Sequence, residues 1–170
     1  MSVAILGAFA ALFLAAAISD LSRYIIPNAI SIALVLLFAV AALFGDARID
    51  WLSHLGAAVA IFAIGAVLFR FGALGGGDVK LFAAASLWMG FANLLPYLFV
   101  VALVGGALTL LLLALRLALP RAWGALGRGA SLRLPAMLTT GSRVPYGVAI
   151  AAGALVMARR LPLLSLSSLG

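Results

Sequence analysis

Aspartate is the only acidic residue type in this chain of 170 residues, and it occurs four times, as Asp20, Asp46, Asp50 and Asp78. A carboxylate beside apolar segments is costly unless it has a partner or faces water, so each one is a candidate functional group. Asp78 also follows three glycines, residues 75–77, which let the chain turn and let another backbone come close. Two carboxylates at one site can share a proton and act as acid and base together, which is the chemistry of aspartic proteolysis.

The composition is that of an integral membrane protein. Hydrophobic residues make up 67% of the chain and charged residues only 9%, whereas soluble domains carry roughly 25% charged residues. The mean hydropathy is +1.32. Because each membrane span needs about 20 residues, several spans leave no room for a soluble domain beside them. We therefore expect an all-α, polytopic membrane protein with one membrane-embedded domain over residues 1–170.

Six apolar segments are candidate transmembrane helices. The run from Leu81 to Leu115 is uncharged, and as one helix it would be roughly 50 Å long, too long for a hydrocarbon core of about 30 Å. We therefore expect a hairpin that breaks between Asn93 and Pro96. A long loop over 116–143 follows the fifth span, with its segment 132–138 on the membrane surface. The predicted spans are Val3–Ser19, Ala29–Gly45, Leu52–Phe69, Leu81–Ala92, Leu94–Leu115 and Val144–Ala158.

The basic residues predict which face of the membrane each loop occupies. With six spans and an outer N-terminus, the cytoplasmic loops hold eight of the 11 basic residues. The opposite face holds Arg48, Arg159 and Arg160. The positive-inside rule favours this arrangement, although the Arg159-Arg160 pair argues against it. Asp20, which ends the first span, and Asp78, which begins the fourth, then lie together on the cytoplasmic face.

The aspartates also have structural interpretations. Asp46 and Asp50 fall on the opposite face, where we expect them to cap helices or to be solvated. Capping is an alternative for Asp20 and Asp78 too, and a proton relay in a small transporter is another. Transport predicts proton flux in proteoliposomes without cleavage of any precursor, and a capping role predicts little effect of Asp→Asn. Under the hydrolytic interpretation, the helix dipoles favour negative charge on Asp78, at a helix N-terminus, over Asp20, at a C-terminus.

Several kinds of site are excluded by residue counts. The chain has no cysteine, which rules out a disulfide, a thiolate zinc site and a cysteine nucleophile. His54 is the only histidine, so a metal site with several histidines is ruled out, and the two-carboxylate mechanism calls for no cofactor. The net charge of +7 comes from loops between apolar segments, which indicates membrane lipid, and no nucleic acid, as a partner. Trp51, Trp88 and Trp123 lie near predicted span ends, as interface anchors do.

Three motifs resemble those of the type IV prepilin peptidases, a family of membrane aspartic proteases. The run Gly75-Gly76-Gly77-Asp78-Val79-Lys80-Leu81 resembles the family's GxGD motif. Asp20 precedes Ile26-Pro27-Asn28, as a catalytic aspartate precedes an Ile-Pro-Asn in the family's first motif. The segment Pro145-Tyr146-Gly147-Val148-Ala149-Ile150 resembles the family's Pro-(Tyr/Phe)-Gly-x-Ala-Ile. The three motifs occur in family order over most of the chain.

The resemblance implies an activity, a substrate and a location. It implies that Asp20 and Asp78 are the catalytic pair and that the chain cleaves the N-terminal leader of a prepilin or pseudopilin precursor. Cleavage would take place at the cytoplasmic face of the bacterial inner membrane, and the glycines of the GxGD motif would hold the precursor backbone extended near Asp78. Larger members add a cysteine-containing domain and N-methylate the product. This cysteine-free chain resembles the short, peptidase-only form of Flp/Tad pili, and methyltransferase activity is not expected.

The remaining motif residues each have a structural interpretation beside the functional one. Pro27 and Pro145 suit the first turn of a helix, because proline lacks a backbone N–H. Asn28 would cap the second helix or bond near the catalytic pair. Lys80 would stabilise the nearby carboxylate or extend to lipid headgroups, and Tyr146 suits the interfacial belt of the membrane. The oligomeric state is not indicated by the sequence.

Overall fold

The computed structural model describes residues 2–45, 48–125 and 144–164. Within these ranges every regular element is a helix, which confirms the predicted all-α class. Two short 3₁₀ turns, Ala158–Arg160 and Pro162–Leu164, follow the last α-helix. The five α-helices are α1 Ser2–Arg23, α2 Asn28–Phe44, α3 Trp51–Arg70, α4 Gly76–Ala125 and α5 Tyr146–Met157.

Three of these helices are long and apolar enough to cross a membrane: Val3–Arg23, Trp51–Arg70 and Gly76–Leu119. Helix α2 is equally apolar but has 17 residues, and α5 has 12. Helices suit such a setting because they satisfy their backbone hydrogen bonds internally, where lipid offers no partner. The structure therefore supports a polytopic membrane protein, and the six-span count stays a prediction.

Helix α4 is interrupted at Gly90, not between Asn93 and Pro96 as the sequence analysis predicted. Gly90 has φ 59° and ψ 176°, a region that residues with a Cβ avoid. It is also the only glycine between Leu81 and Val104, whereas Asn93 and Pro96 both lie inside the second helical part. The break falls where the backbone is free to turn, and it divides α4 into residues 76–89 and 91–125.

Two side chains of α3 replace the helical hydrogen bond that the break removes. In a continuous helix the Phe91 N–H would donate to the Leu87 carbonyl. Instead, the Phe91 N–H donates to Ser53 Oγ at 2.9 Å, and His54 Nδ1 lies 2.7 Å from the Leu87 carbonyl oxygen. Since a carbonyl only accepts, this ring nitrogen of His54 carries the proton and donates. Both backbone groups thus keep a hydrogen-bond partner in an apolar helix, where lipid would offer none and an unpaired group is costly.

The end of α4 and the start of α3 bear on two further expectations. The predicted loop from residue 116 is wrong in its first part, because α4 continues as a helix to Ala125. Asp50 is the N-cap of α3, where its carboxylate accepts the Ser53 N–H at 3.2 Å, so the capping interpretation is confirmed there. Asp46 and the segment 132–138 lie outside the described residues.

The bundle is organised around α4, which packs on α2, α3 and α5, while α1 packs on α2 and α5. An aromatic cluster holds the centre: the Trp88 ring lies 4.9 Å from that of Phe9 and 5.5 Å from that of Phe38, centroid to centroid. Trp88 is 1% exposed, and its indole N–H donates to the Leu34 carbonyl at 3.1 Å. The prediction that Trp88 is an interface anchor is therefore wrong, since a buried indole with a backbone partner is a core residue.

Large apolar side chains also cover the outside of the bundle. Leu52, Leu95 and Ile18 are each more than 60% exposed. Such a surface would be a liability in water, and it suits contact with lipid chains. The helices therefore have one apolar side toward each other and another toward the bilayer. The few polar side chains among them need a structural or a functional explanation.

Candidate active site

Asp20 lies in the last turn of α1 and is only 5% exposed. The helix ends because the Tyr24 N–H donates to the Asp20 carbonyl at 2.9 Å and Tyr24 then adopts a left-handed backbone, with φ 54°. The Ser19 hydroxyl donates to the Ile25 carbonyl at 2.7 Å and holds the connector after the turn. This termination turns the chain back and places Asp20 inside the bundle.

Asp78 is the third residue of α4, and its carboxylate contacts the start of its own helix. Its Oδ2 accepts the Gly75 N–H at 3.2 Å. A side chain at the third helical position that reaches back to the N-cap amide forms half of a capping box. The capping interpretation therefore holds for one oxygen of Asp78. The other, Oδ1, is buried and has no hydrogen-bond partner among the described residues.

The glycines before Asp78 have different surroundings. A Cβ on Gly75 would stand 2.7 Å from Asp78 Oδ2, so glycine is what allows this amide and carboxylate to meet. A Cβ on Gly77 would stand 3.1 Å from Ile26 Cβ and 3.2 Å from the Ile26 carbonyl oxygen. Gly77 therefore lets α4 pack against the connector between α1 and α2. Gly75 and Gly76 line the same cavity as Asp78, and Gly77 does not. The expectation that a substrate backbone lies against the glycine run therefore concerns Gly75 and Gly76 only, and it stays a prediction.

The N-terminus of α5 brings the third motif against the first. A Cβ on Gly147 would stand 2.8 Å from Asp20 Oδ2 and 2.6 Å from Ile26 Cδ1, so only a glycine lets the backbone come this close. The backbone amides of Gly147 and Val148 interact electrostatically with the Asp20 carboxylate, and that of Gly147 also interacts with Asp78. Amides at a helix N-terminus favour nearby negative charge. The start of α5 thus faces both carboxylates.

The two aspartates line one cavity of about 290 Å³. Their carboxylates are close enough for their charges to repel each other. Asp20 Oδ2 and Asp78 Oδ1 are both buried without a hydrogen-bond partner in the part of the chain that the structure describes. Five segments form the wall of the cavity: the ends of α1 and α3, the starts of α4 and α5, and the connector between α3 and α4. Its lining residues are Asp20, Tyr24, Phe69, Gly72, Ala73, Leu74, Gly75, Gly76, Asp78, Val144 and Tyr146.

Lys80 and Asn28 contact each other and not the aspartates. Lys80 Nζ donates to Asn28 Oδ1 at 2.9 Å, so the Lys80 ammonium does not stabilise Asp78 by direct contact. Asn28 is the first residue of α2, whose N-cap is Pro27, and no side chain caps this helix. The bond instead ties the start of α2 to the first turns of α4. Both residues line an apolar groove between α2, α3 and α4 that shares no lining residue with the aspartate cavity.

Pro145 and Tyr146 lie where α5 begins. Pro145 is the N-cap residue, one position before the helix, with φ −73°. Tyr146 is 41% exposed, as an interfacial residue would be, and its ring also lines the aspartate cavity. The structure therefore adds a place in the cavity wall to the interfacial role that the sequence indicated for Tyr146.

Sequence reasoning missed part of the cavity wall. Tyr24 stands within the first motif, but its left-handed backbone and its direction cannot be read from the sequence. Phe69 and residues 72–74 carry no chemical signal either, and they reach the cavity because α3 ends beside the start of α4. Among the described residues no three His or Asp side chains form a group suited to a metal ion. The side chains with ionisable groups that line the cavity in the described ranges are therefore those of Asp20, Asp78, Tyr24 and Tyr146.

A comparison with models of protein families gives one match for this chain. Searches of curated proteins and of solved structures gave no significant match. The family model described as the type IV leader peptidase family matches residues 7–110, a range that contains Asp20, Asp78 and most of α4. The match covers more than half of the 170 residues, and the chain belongs to the type IV leader peptidase family.

Proposed function

We propose that this multi-pass membrane peptidase is an aspartic endopeptidase that uses Asp20 and Asp78 to remove the leader of a type IV or Flp-like prepilin precursor. The observation that carries the proposal is the shared cavity, in which each carboxylate has one buried oxygen without a hydrogen-bond partner among the described residues. Carboxylates that serve only as caps have their oxygens engaged by backbone amides or by water. Two that face each other in a cavity can hold one proton between them.

The reaction follows from one shared proton. The ionised aspartate takes a proton from water as the water oxygen forms a bond to the scissile carbonyl carbon, and the protonated aspartate gives its proton to the carbonyl oxygen. The C–N bond then breaks, the leaving nitrogen receives a proton from the carboxyl group that had taken one, and a hydroxyl of the tetrahedral diol returns its proton to the other aspartate as the new carboxyl terminus forms. No other reactant is consumed besides water.

We assign the initial negative charge to Asp78. It stands at the N-terminus of α4, whose dipole favours negative charge, and it accepts the Gly75 N–H. Asp20 ends α1, where the dipole disfavours negative charge, although the amides at the start of α5 offset part of this effect. The pH–rate profiles of Asp20→Asn and Asp78→Asn, measured on their residual activity, test the assignment. Identical changes in the two profiles would leave it without support.

A second groove offers a place for the apolar helix of the precursor. This groove, about 650 Å³, is formed by α3, α4 and α5 and shares Ala73, Leu74 and Tyr146 with the aspartate cavity. Gly106 lies in its wall, and a Cβ there would meet nothing within 4 Å. Small residues allow close helix packing in membranes. A precursor helix in this groove would bring the leader junction to the aspartates from within the bilayer.

Co-expression with a tagged Flp-type prepilin precursor tests the proposed activity. We expect Asp20→Asn and Asp78→Asn each to lower the cleavage rate by about 10²–10⁴-fold, the usual contribution of a general acid or base. Asp50→Asn is the matched control, because Asp50 caps α3, away from the cavity. Normal cleavage by either cavity variant would refute the proposal. Proton flux in proteoliposomes without cleavage would indicate the transporter alternative instead.

We also propose that the cavity opens on the cytoplasmic side of the inner membrane. The connector between α3 and α4 borders the cavity, and Phe71 within it is 79% exposed. Because these 170 residues contain no cysteine, a single Phe71→Cys substitution provides a unique label site within them. A membrane-impermeant maleimide should label it only after the inner membrane is permeabilised, and labelling in intact spheroplasts would contradict this orientation.

Membership of the short Flp/Tad-type form is likewise a proposal, supported by the absence of cysteine from these 170 residues.

A further inference from the structure

Tyr24 occupies a backbone conformation that suits a different residue. It ends α1 with φ 54°, in the left-handed region where helices usually place a glycine or an asparagine. A bulky side chain rarely adopts this conformation, and does so at an energetic cost. Glycine is abundant in this chain, with 18 occurrences, yet the position holds a tyrosine. The contacts of the Tyr24 side chain must therefore explain why a tyrosine, and not a glycine, occupies this position.

The hydroxyl of Tyr24 is buried and has no hydrogen-bond partner within the described ranges. A buried tyrosine hydroxyl normally finds one, as Tyr97 does by donating to the Ile150 carbonyl at 3.3 Å. In the described part of the chain, buried side-chain atoms without partners occur on Tyr24, Asp20, Asp78 and Ser31. The first three of these residues line the same cavity. The tyrosine is thus the third polar group that the fold leaves unpaired beside the two carboxylates.

A neutral hydrogen-bond donor in the cavity would assist the reaction proposed above, before the protonated aspartate has given up its proton. As water attacks, negative charge develops on the scissile carbonyl oxygen, and donors that face this oxygen lower the barrier. No lysine or arginine is among the residues that line the cavity in the described ranges. The amide of Gly75 is already bonded to Asp78, and the amides of Gly147 and Val148 interact with the carboxylates. The Tyr24 hydroxyl is buried and Tyr24 lines the cavity together with both aspartates, whereas the Tyr146 side chain is 41% exposed.

We propose that Tyr24 is a catalytic residue whose hydroxyl donates a hydrogen bond to the scissile carbonyl oxygen as it becomes tetrahedral. The inference rests on the proposed function, since it assigns a role in that same cleavage. Tyr24 keeps its proton throughout and forms no covalent bond to substrate. The left-handed turn at the end of α1 is what directs the ring into the cavity, and the conformational cost is the consequence of placing a donor there.

Tyr24→Phe tests the proposal, because it removes the hydroxyl and retains the ring. With a tagged Flp-type prepilin precursor, we expect kcat to fall by about 10²-fold, as for loss of one donor to an oxyanion, with KM little changed and the pH–rate profile unshifted. Tyr97→Phe is the matched control: it removes a hydroxyl bonded inside the core, so we expect a lower midpoint of thermal unfolding and a normal kcat. Cleavage by Tyr24→Phe at the wild-type rate overturns the proposal. So does a shifted pH–rate profile, which would mean that Tyr24 acts through the carboxylates.

Two further measurements keep the outcome unambiguous. Tyr24→Gly suits the left-handed backbone, so it should unfold at or above the wild-type temperature while it cleaves no faster than Tyr24→Phe. A folded Tyr24→Gly with wild-type activity would overturn the proposal. Asp20→Asn and Asp78→Asn are measured in parallel. If both are inactive while Tyr24→Phe is normal, only the role of Tyr24 fails, and if both remain active, the proposed function itself fails.

Discussion

The contact between Gly147 and Asp20 offers a sharp test of how the site is built. Replacing Gly147 by alanine adds one methyl group, which would stand 2.8 Å from Asp20 Oδ2 and 3.0 Å from its Cγ. Ordinary van der Waals contact begins at 3.4 Å. The carboxylate and the start of α5 must therefore separate by about 0.6 Å, because overlapping atoms give way by moving apart.

The expected effects on stability and on rate can be separated by a matched control. Gly153→Ala lies six residues later on the same helix, where a Cβ would stand 2.6 Å from Val101 Cγ2 and 3.0 Å from Tyr97 Cε2. Both variants introduce a similar clash, so each should lower the free energy of unfolding by about 1–3 kcal/mol. Only Gly147→Ala displaces a carboxylate of the cavity. A misplacement of about 1 Å in an active site can cost roughly 10²-fold in rate.

The assay is cleavage of the tagged precursor by purified enzyme in detergent micelles, with each rate divided by the folded fraction from thermal unfolding followed by tryptophan fluorescence. We expect the rate per folded enzyme of Gly147→Ala to fall by one to two orders of magnitude and that of Gly153→Ala to stay within about threefold of wild type. If both variants keep wild-type rates per folded molecule, the close approach of α5 to Asp20 has no bearing on the chemistry. Equal loss in both would show that the effect is general to α5.

The remaining predictions concern the helix break, the groove and the lysine. Ser53→Ala leaves the Phe91 N–H without its acceptor and should lower the free energy of unfolding by about 1–3 kcal/mol. Ser53→Thr, measured in the same thermal scan, should lower it less because threonine keeps a hydroxyl. Gly106→Leu fills the groove next to the aspartate cavity and should raise KM for the precursor at least tenfold. Gly7→Leu should leave KM unchanged, because Gly7 is another exposed helical glycine with nothing within 4 Å. Equal KM values for the two variants would exclude this groove as the binding path. Lys80→Met removes an exposed hydrogen bond between two residues that do not line the cavity. It should change kcat less than threefold and stability by no more than about 1 kcal/mol. A large fall in kcat would show that Lys80 supports the carboxylates after all.

The sequence was sufficient where the signal is compositional or local. A chain with 67% hydrophobic residues and four acids can bury few charges in lipid, so the membrane class and the importance of each aspartate could be predicted. The helix starts were readable from residues that favour this position, Pro27 before α2 through its backbone and Asp50 before α3 through its capping side chain. The expectation that Asp20 and Asp78 lie on one face followed from the span order, and the structure places both in one cavity.

The sequence was insufficient where a partner distant in the chain decides. The break of α4 falls at Gly90 because Ser53 and His54 satisfy the backbone groups it exposes, and no local signal near Asn93 or Pro96 reports that support. Lys80 was predicted to face Asp78 or lipid headgroups, but it bonds to Asn28, 52 residues away. A hydrogen bond between distant residues depends on helix packing, which residue spacing along the chain does not encode.

What the sequence by itself determined is therefore the chemistry available: two carboxylates at helix ends, glycines beside them and an apolar chain with only two other acids. What only the tertiary structure decided is how that chemistry is enclosed. Gly77 and Gly147 allow two helices to close on Ile26, and the left-handed turn at Tyr24 places a hydroxyl in the same cavity. The physical reason is that close approach between backbones depends on which helices meet, whereas the type of each side chain is fixed before the chain folds.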